Sequence, residues 1–166
     1  CCLGSIDLTR YVRDLFTEKA RFDFDKFGRT VATSIRMLDN VLEVTAWPLE
    51  QQHQEAMAKR RVGLGFTGLG DALIMLRQRY DTEEARSMAA KISESMRDEA
   101  YKASVDLARE RGAFPLFNAD LYLSGTSFAT RLPEDVKAQV RKHGIRNSHL
   151  LSIAPTGTIS LAFADN

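Results

Sequence analysis

The chain has 166 residues, with 23 Lys and Arg against 22 Asp and Glu and a formal net charge of +1. That length suffices for one domain with a real core. A charge so nearly balanced argues against nucleic acid or an acidic membrane as a partner, because both normally leave a basic excess, and no apolar run approaches the length of a membrane span.

The expectation is therefore a cytoplasmic protein with no nucleic-acid or membrane partner. The sequence starts on Cys1-Cys2 without an initiating Met and stops at Phe163-Ala164-Asp165-Asn166, within or just after an apolar segment. This predicts a single partial domain over residues 1–166, truncated at both ends.

Leu3 to Val12 is a short apolar opening with a helical turn. Asp23 can cap a helix running from Phe24 to about Trp47, with Phe24, Phe27, Val31, Ile35, Leu38, Leu42 and Thr45 on its inward face. Pro48 ends it. Leu49 to Lys59 is polar and rich in Gln, Ala and Met, and reads as another helix. Arg61 to Gly68 is a Gly-dense strand.

Asp71 to Arg79 reads as a helix with Ala72, Leu73, Leu76 and Tyr80 inward. Asp81 starts the next one, with Glu84 three residues on as a capping box requires. Its apolar stripe carries it to Arg111, where Gly112 stops it. Phe114 to Phe128 is a loop. Pro133-Glu134-Asp135 opens a further helix that closes at Gly144, with Arg141-Lys142-His143 in its last turn. Leu150 to Ile153 has the length of a buried strand, Pro155 stops it, and Ile159 to Ala164 can restart as a helix. The pattern is α/β, mostly long helices with a few short strands, and it implies further sheet outside the chain.

The chemistry concentrates in the tail. A strand, the small turn Thr156-Gly157-Thr158 and a helix N-terminus bring several N–H donors together, which makes a phosphate cradle without a Lys. Gly63-x-Gly65-x-x-Gly68 matches a dinucleotide fingerprint as a string. It lacks the apolar strand before it and the acid at the end of a second strand. The better reading is close backbone packing.

Cys1-Cys2 is too strained to close on itself as a structural disulfide. Buried inert thiols and redox work with a cysteine elsewhere both remain open. His53, His143 and His149 show no metal-ligand spacing, so no metal is expected. Lys59-Arg60-Arg61 reads as a solvated basic face or as charges at a helix end.

Four blocks occur in order: Cys1 to Leu8, Arg61 to Leu73, Gly144 to Ser148 and Ala154 to Ser160. Together they resemble the large catalytic subunit of ribonucleotide reductase, most closely the adenosylcobalamin-dependent class. The resemblance implies a fragment of a ten-stranded α/β barrel, from the C-terminal half of its catalytic domain. It implies that Cys1 is one member of the redox pair, with Cys2 standing where the family usually has Asn. It also implies that Pro155, Thr156, Gly157, Thr158 and Ile159 hold the substrate's phosphates.

For the parent enzyme the resemblance implies thiyl-radical reduction of a ribonucleoside di- or triphosphate to its 2′-deoxy form. The cofactor would be adenosylcobalamin, or alternatively a radical from a di-metal small subunit, and the reductant thioredoxin-like. The family's radical cysteine precedes the first block. The fragment alone is therefore expected to be inactive, to bind no cofactor and to self-associate through uncovered apolar helix faces. The rival reading is a stand-alone phosphate- or nucleotide-binding domain.

Overall fold

The computed structural model describes residues 2–163. In chain order these form β1 (Cys2–Asp7), a 3-10 turn (Leu8–Tyr11), β2 (Val12–Arg13), β3 (Arg21–Phe22), α1 (Phe24–Val44), α2 (Glu50–Lys59), β4 (Val62–Thr67), α3 (Leu69–Met75), α4 (Glu83–Arg111), α5 (Ala119–Tyr122), a second 3-10 turn (Phe128–Arg131), α6 (Glu134–His143) and α7 (Gly157–Phe163). The mixed architecture is the α/β class expected.

β4 is the rail on which the rest is laid. β1 pairs with it in parallel, Cys2 opposite Val62 and Asp7 opposite Thr67. Along its other edge run residues 149–152: the Val62 N–H donates to the His149 carbonyl at 3.0 Å, Leu64 N–H to Leu150 carbonyl at 2.8 Å, and Ser152 N–H to Leu64 carbonyl at 3.0 Å. The expected strand Leu150 to Ile153 is thus reduced to one parallel bridge, Leu64 with Leu151. Val62, Gly63, Leu64 and Gly65 are all buried, as a strand covered on both faces must be.

Against this sheet lies α1, and α4 packs on α1. The α1 stripe Phe27, Val31, Ile35, Leu38 and Leu42 is buried and meets Ile92, Met96 and Ala100 of α4 in one core. Burying each large side chain contributes about 1.5–3 kcal/mol. Tyr11 and Phe22 close the end of that core by meeting the Phe27 ring edge-on, with centroids 5.2 and 5.4 Å away.

The helix signals hold in kind and shift in detail. Asp23 caps α1 by accepting the Lys26 N–H at 3.0 Å. α1 stops at Val44, so Thr45 is exposed rather than inward. Asp81 does not open α4. Thr82 is its cap, accepting the Ala85 N–H at 3.3 Å, while Asp81 is drawn off to the Arg79 guanidinium at 2.9 Å. α3 starts and ends earlier than expected, which leaves Tyr80 beyond it and 75% exposed. Gly112 and Gly144 take positive φ and end α4 and α6 as expected. The Phe114 to Phe128 loop contains α5, and the opening segment contains β1 as well as its helical turn.

Met37, Val41 and Val44 form an exposed apolar line on α1. No large apolar side chain of α4 is exposed in the same way, so of the two long helices only α1 shows an uncovered apolar face. Among the described residues no helix is long and apolar enough to cross a membrane.

Candidate functional site

The tail turn is built as an open set of donors. Thr156 has φ 56, a left-handed conformation that swings the chain out of the strand direction and into α7. Its hydroxyl donates to the Pro155 carbonyl at 2.8 Å. The first helical bond runs from the Ser160 N–H to the Thr156 carbonyl at 2.9 Å. The amides of Gly157, Thr158 and Ile159 precede it, and first-turn amides have no acceptor inside their own helix. Pro155, Gly157, Thr158 and Ile159 are exposed and Thr156 is half-buried. A Cβ at Gly157 would meet nothing within 4 Å. The turn is therefore exposed, with space beside Gly157 and first-turn amides that no carbonyl of α7 takes up.

The glycine-dense strand does a different job. A Cβ on Gly65 would lie 2.4 Å from the Ser152 carbonyl oxygen, so only Gly lets the tail strand come this close. Gly68, at φ 71, turns the chain into α3 with its Cβ position 3.1 Å from Asp7 Oδ1. This is close packing, as the sequence reading held.

At the Val62 end of the sheet lies a buried ionic cluster that sequence reasoning missed. Asp39 of α1 is 0% exposed. Its Oδ1 accepts from Arg60 Nε at 2.9 Å and from Asn147 Nδ2 at 2.9 Å. Its Oδ2 accepts from Arg146 Nε at 3.3 Å and from Arg111 Nη1 at 3.4 Å. Glu43, one helical turn on, takes Arg60 at 2.6 Å and Arg146 at 3.1 Å.

The same cluster ties down backbone. Arg146 Nη1 also donates to the carbonyls of Arg111 and Gly112 at 3.0 and 3.2 Å, satisfying the carbonyls at the end of α4. Arg60 is only 3% exposed, so it is not on a solvated face; it stands at the C-terminal cap of α2, the helix-end placement the sequence also allowed. The missed signal was in the helical period. Asp39 follows Ile35 by four residues and sits inside the apolar stripe of α1, where a carboxylate demands partners.

Two clefts flank the tail strand. One, of about 380 Å³, is lined by Tyr101, Tyr122, Phe128, Ser148, His149 and Leu151 with four further residues. The other, of about 330 Å³, is lined by Phe66, Met96, Arg97, Phe128, Leu151 and Ile153 with three more. Neither is lined by Pro155–Ile159, so the turn does not open into them.

Burial pushes the Tyr101 and Tyr122 phenols above their ordinary range, and Tyr122 also donates to the Ser148 carbonyl at 3.2 Å. Burial, with the charge of Arg61, lowers His149, whose Nδ1 lies 3.0 Å from Ser148 Oγ. No three His, Cys, Asp or Glu among the described residues are placed to share a metal.

Cys1 lies outside the described residues. Cys2 stands at the Val62 end of the sheet, whereas the chain runs from Leu151, opposite Leu64, toward the other end before it reaches Pro155. The residues expected to hold phosphates, Pro155–Ile159, thus lie together on one turn, and the sheet does not bring that turn beside Cys2.

The family model for the ribonucleotide reductase barrel domain matches residues 1–166. The chain belongs to this family. It is 37% identical over 163 residues to a vitamin B12-dependent ribonucleoside-diphosphate reductase of Thermoplasma acidophilum, covering 97% of the chain and 18% of that protein. A vitamin B12-dependent ribonucleoside-diphosphate reductase of Mycobacterium tuberculosis is also 37% identical, over 161 residues, covering 97% of the chain and 20% of the relative. The ribonucleoside-diphosphate reductase large chain of Encephalitozoon cuniculi is 32% identical over 175 residues, covering all of the chain and 22% of the relative. The chain spans about a fifth of the length of these curated relatives. In this ribonucleotide reductase barrel segment, β1 and β4 are the parallel strands, residues 149–152 run along β4 through a single parallel bridge, and α1 and α4 form the helical layer.

Proposed function

We propose that this chain is one part of a ribonucleotide reductase barrel, completed by strands outside it, in which Pro155–Ile159 hold the phosphates of a ribonucleoside diphosphate substrate. The observation that carries this is the turn itself: exposed, with open space at Gly157 and first-turn amides left for an anion. The diphosphate is favoured over the triphosphate by the names of the relatives.

The parent would convert the ribonucleotide to its 2′-deoxy form. A cysteine pair supplies two electrons as the 2′-hydroxyl leaves as water, and Cys1 is proposed as one thiol of the pair. A thioredoxin-type dithiol would reset it.

Adenosylcobalamin is proposed as the parent's radical source, because the relatives at 37% identity are named for vitamin B12. A large chain at 32% identity carries no such word in its name and keeps the di-metal small subunit as the second reading. The residues present do not fit a corrin ring. The clefts of about 380 and 330 Å³ are at the small end of ligand pockets and are lined largely by apolar side chains.

The redox assignment is tested by Cys1→Ser in the full-length enzyme, assayed for multiple turnovers with a dithiol reductant. The proposal expects reduction to stop after the first turnover at most. Undiminished turnover would remove Cys1 from the pair.

A further inference from the structure

Arg60 and Asn147 stand in the same relation to two neighbouring strands. Arg60 lies two residues before Val62, the first residue of β4, and Asn147 lies two residues before His149, whose carbonyl accepts the Val62 N–H at 3.0 Å. Both side chains end on one atom, Asp39 Oδ1, each at 2.9 Å. Asn147 Nδ2 also donates to the Arg60 carbonyl at 3.2 Å, and the Ser148 N–H to the Lys59 carbonyl at 3.1 Å. The two chains therefore enter the sheet side by side from a shared anchor that solvent does not reach.

We propose that Asp39 is the positioning residue of the phosphate turn. By holding Arg60 and Asn147 on one carboxylate oxygen, it sets the register of residues 149–152 against β4, and so fixes where Pro155–Ile159 stand. The inference rests on the reading of that turn as the phosphate site.

Strand side chains alternate with a period of two. A slip of one residue would exchange buried Leu150 for half-buried Leu151 and carry the turn about 3.3 Å along the sheet. The Ser152 carbonyl seated against Gly65 admits the observed register, and a side chain at that point would not. An ionised carboxylate has about four lone-pair sites. Arg60, Asn147, Arg146 and Arg111 fill those of Asp39, so the anchor has no slack.

The test is steady-state kinetics of the full-length enzyme with a ribonucleoside diphosphate, comparing Asn147→Ala with Thr158→Pro, which removes a donor from the turn itself. Asn147→Ala is expected to raise KM for the diphosphate about tenfold or more, because small displacements of a positioning group have effects of that size. A double variant should add little to the larger single effect, since both act through one turn. A merely structural role would lower kcat through loss of active protein and leave KM where it was.

Should Asn147→Ala fail to fold, Ser104→Ala makes the same test more gently. The Ser104 hydroxyl donates to Asn147 Oδ1 at 2.9 Å and accepts its N–H at 3.1 Å. An unchanged KM in these variants beside a raised KM in Thr158→Pro overturns the positioning role and leaves the turn reading intact. An unchanged KM in Thr158→Pro as well overturns both.

Discussion

At the Val62 end of β4, Asp39 gathers Arg60, Arg111, Arg146 and Asn147 and is closed off from solvent. Beyond the other end, the turn Pro155–Ile159 keeps its amides free and its surroundings open. The first region has every polar group matched, and the second has donors in excess of acceptors. A buried charge network is specific because any missing member leaves an uncompensated charge. A ligand site needs the reverse, groups left unsatisfied until the ligand arrives. Placing the two at opposite ends of one strand lets the chain be rigid where it is anchored and vacant where it would bind.

The sharpest way to break this contrast is Asp39→Ala. It leaves buried Arg60 with half-exposed Glu43 as its one remaining carboxylate and takes one acceptor from Asn147 Nδ2, and is expected to destabilise the chain by about 3–5 kcal/mol. That is a large share of the roughly 5–15 kcal/mol a domain commands, so chemical unfolding should move to a much lower denaturant midpoint. A melting transition close to that of the parent would show that the cluster carries no such weight.

Two glycines sharpen the comparison at the next level. Gly65→Ala drives a Cβ into the Ser152 carbonyl and should cost at least about 1–3 kcal/mol, as overpacking does. Gly157→Ala meets open space and should shift unfolding by no more than about 0.5 kcal/mol. Equal effects in the two would mean that the ends of the sheet do not differ as described.

A smaller effect separates neighbouring residues at the head of α4. Thr82→Ala removes the cap and should cost about 1 kcal/mol, while Asp81→Ala, an exposed partner of Arg79, should be nearly silent. The opposite order would restore Asp81 as the cap.

These same places show what the amino-acid order discloses. α1, α4 and α6 were readable because start signals, apolar period and a terminating Pro or Gly all act within a few residues of one another. The choice of Asp81 over Thr82 failed on competition, for both are good caps and only the Arg79 guanidinium decides between them. β1 was read as a turn-containing opening because Cys2–Asp7 holds one β-branched residue, and its strand state depends on β4, far along the chain. The turn at Pro155 was readable because its small residues and Pro are local signals. Its anchor was not, since Asp39 is joined to Arg146 and Asn147 more than a hundred positions away. One carboxylate inside an apolar stripe announces that partners exist, but 23 basic residues give no way to name them.

The most direct measurement is the KM for a ribonucleoside diphosphate in the full-length enzyme carrying Thr158→Pro, set beside Thr158→Ala. Proline fits the first turn of a helix and deletes one N–H that no helical carbonyl uses, whereas alanine keeps it. The account predicts KM raised about tenfold or more by proline beyond the effect of alanine, with the protein folded in both. Equal KM values in the two variants would contradict it.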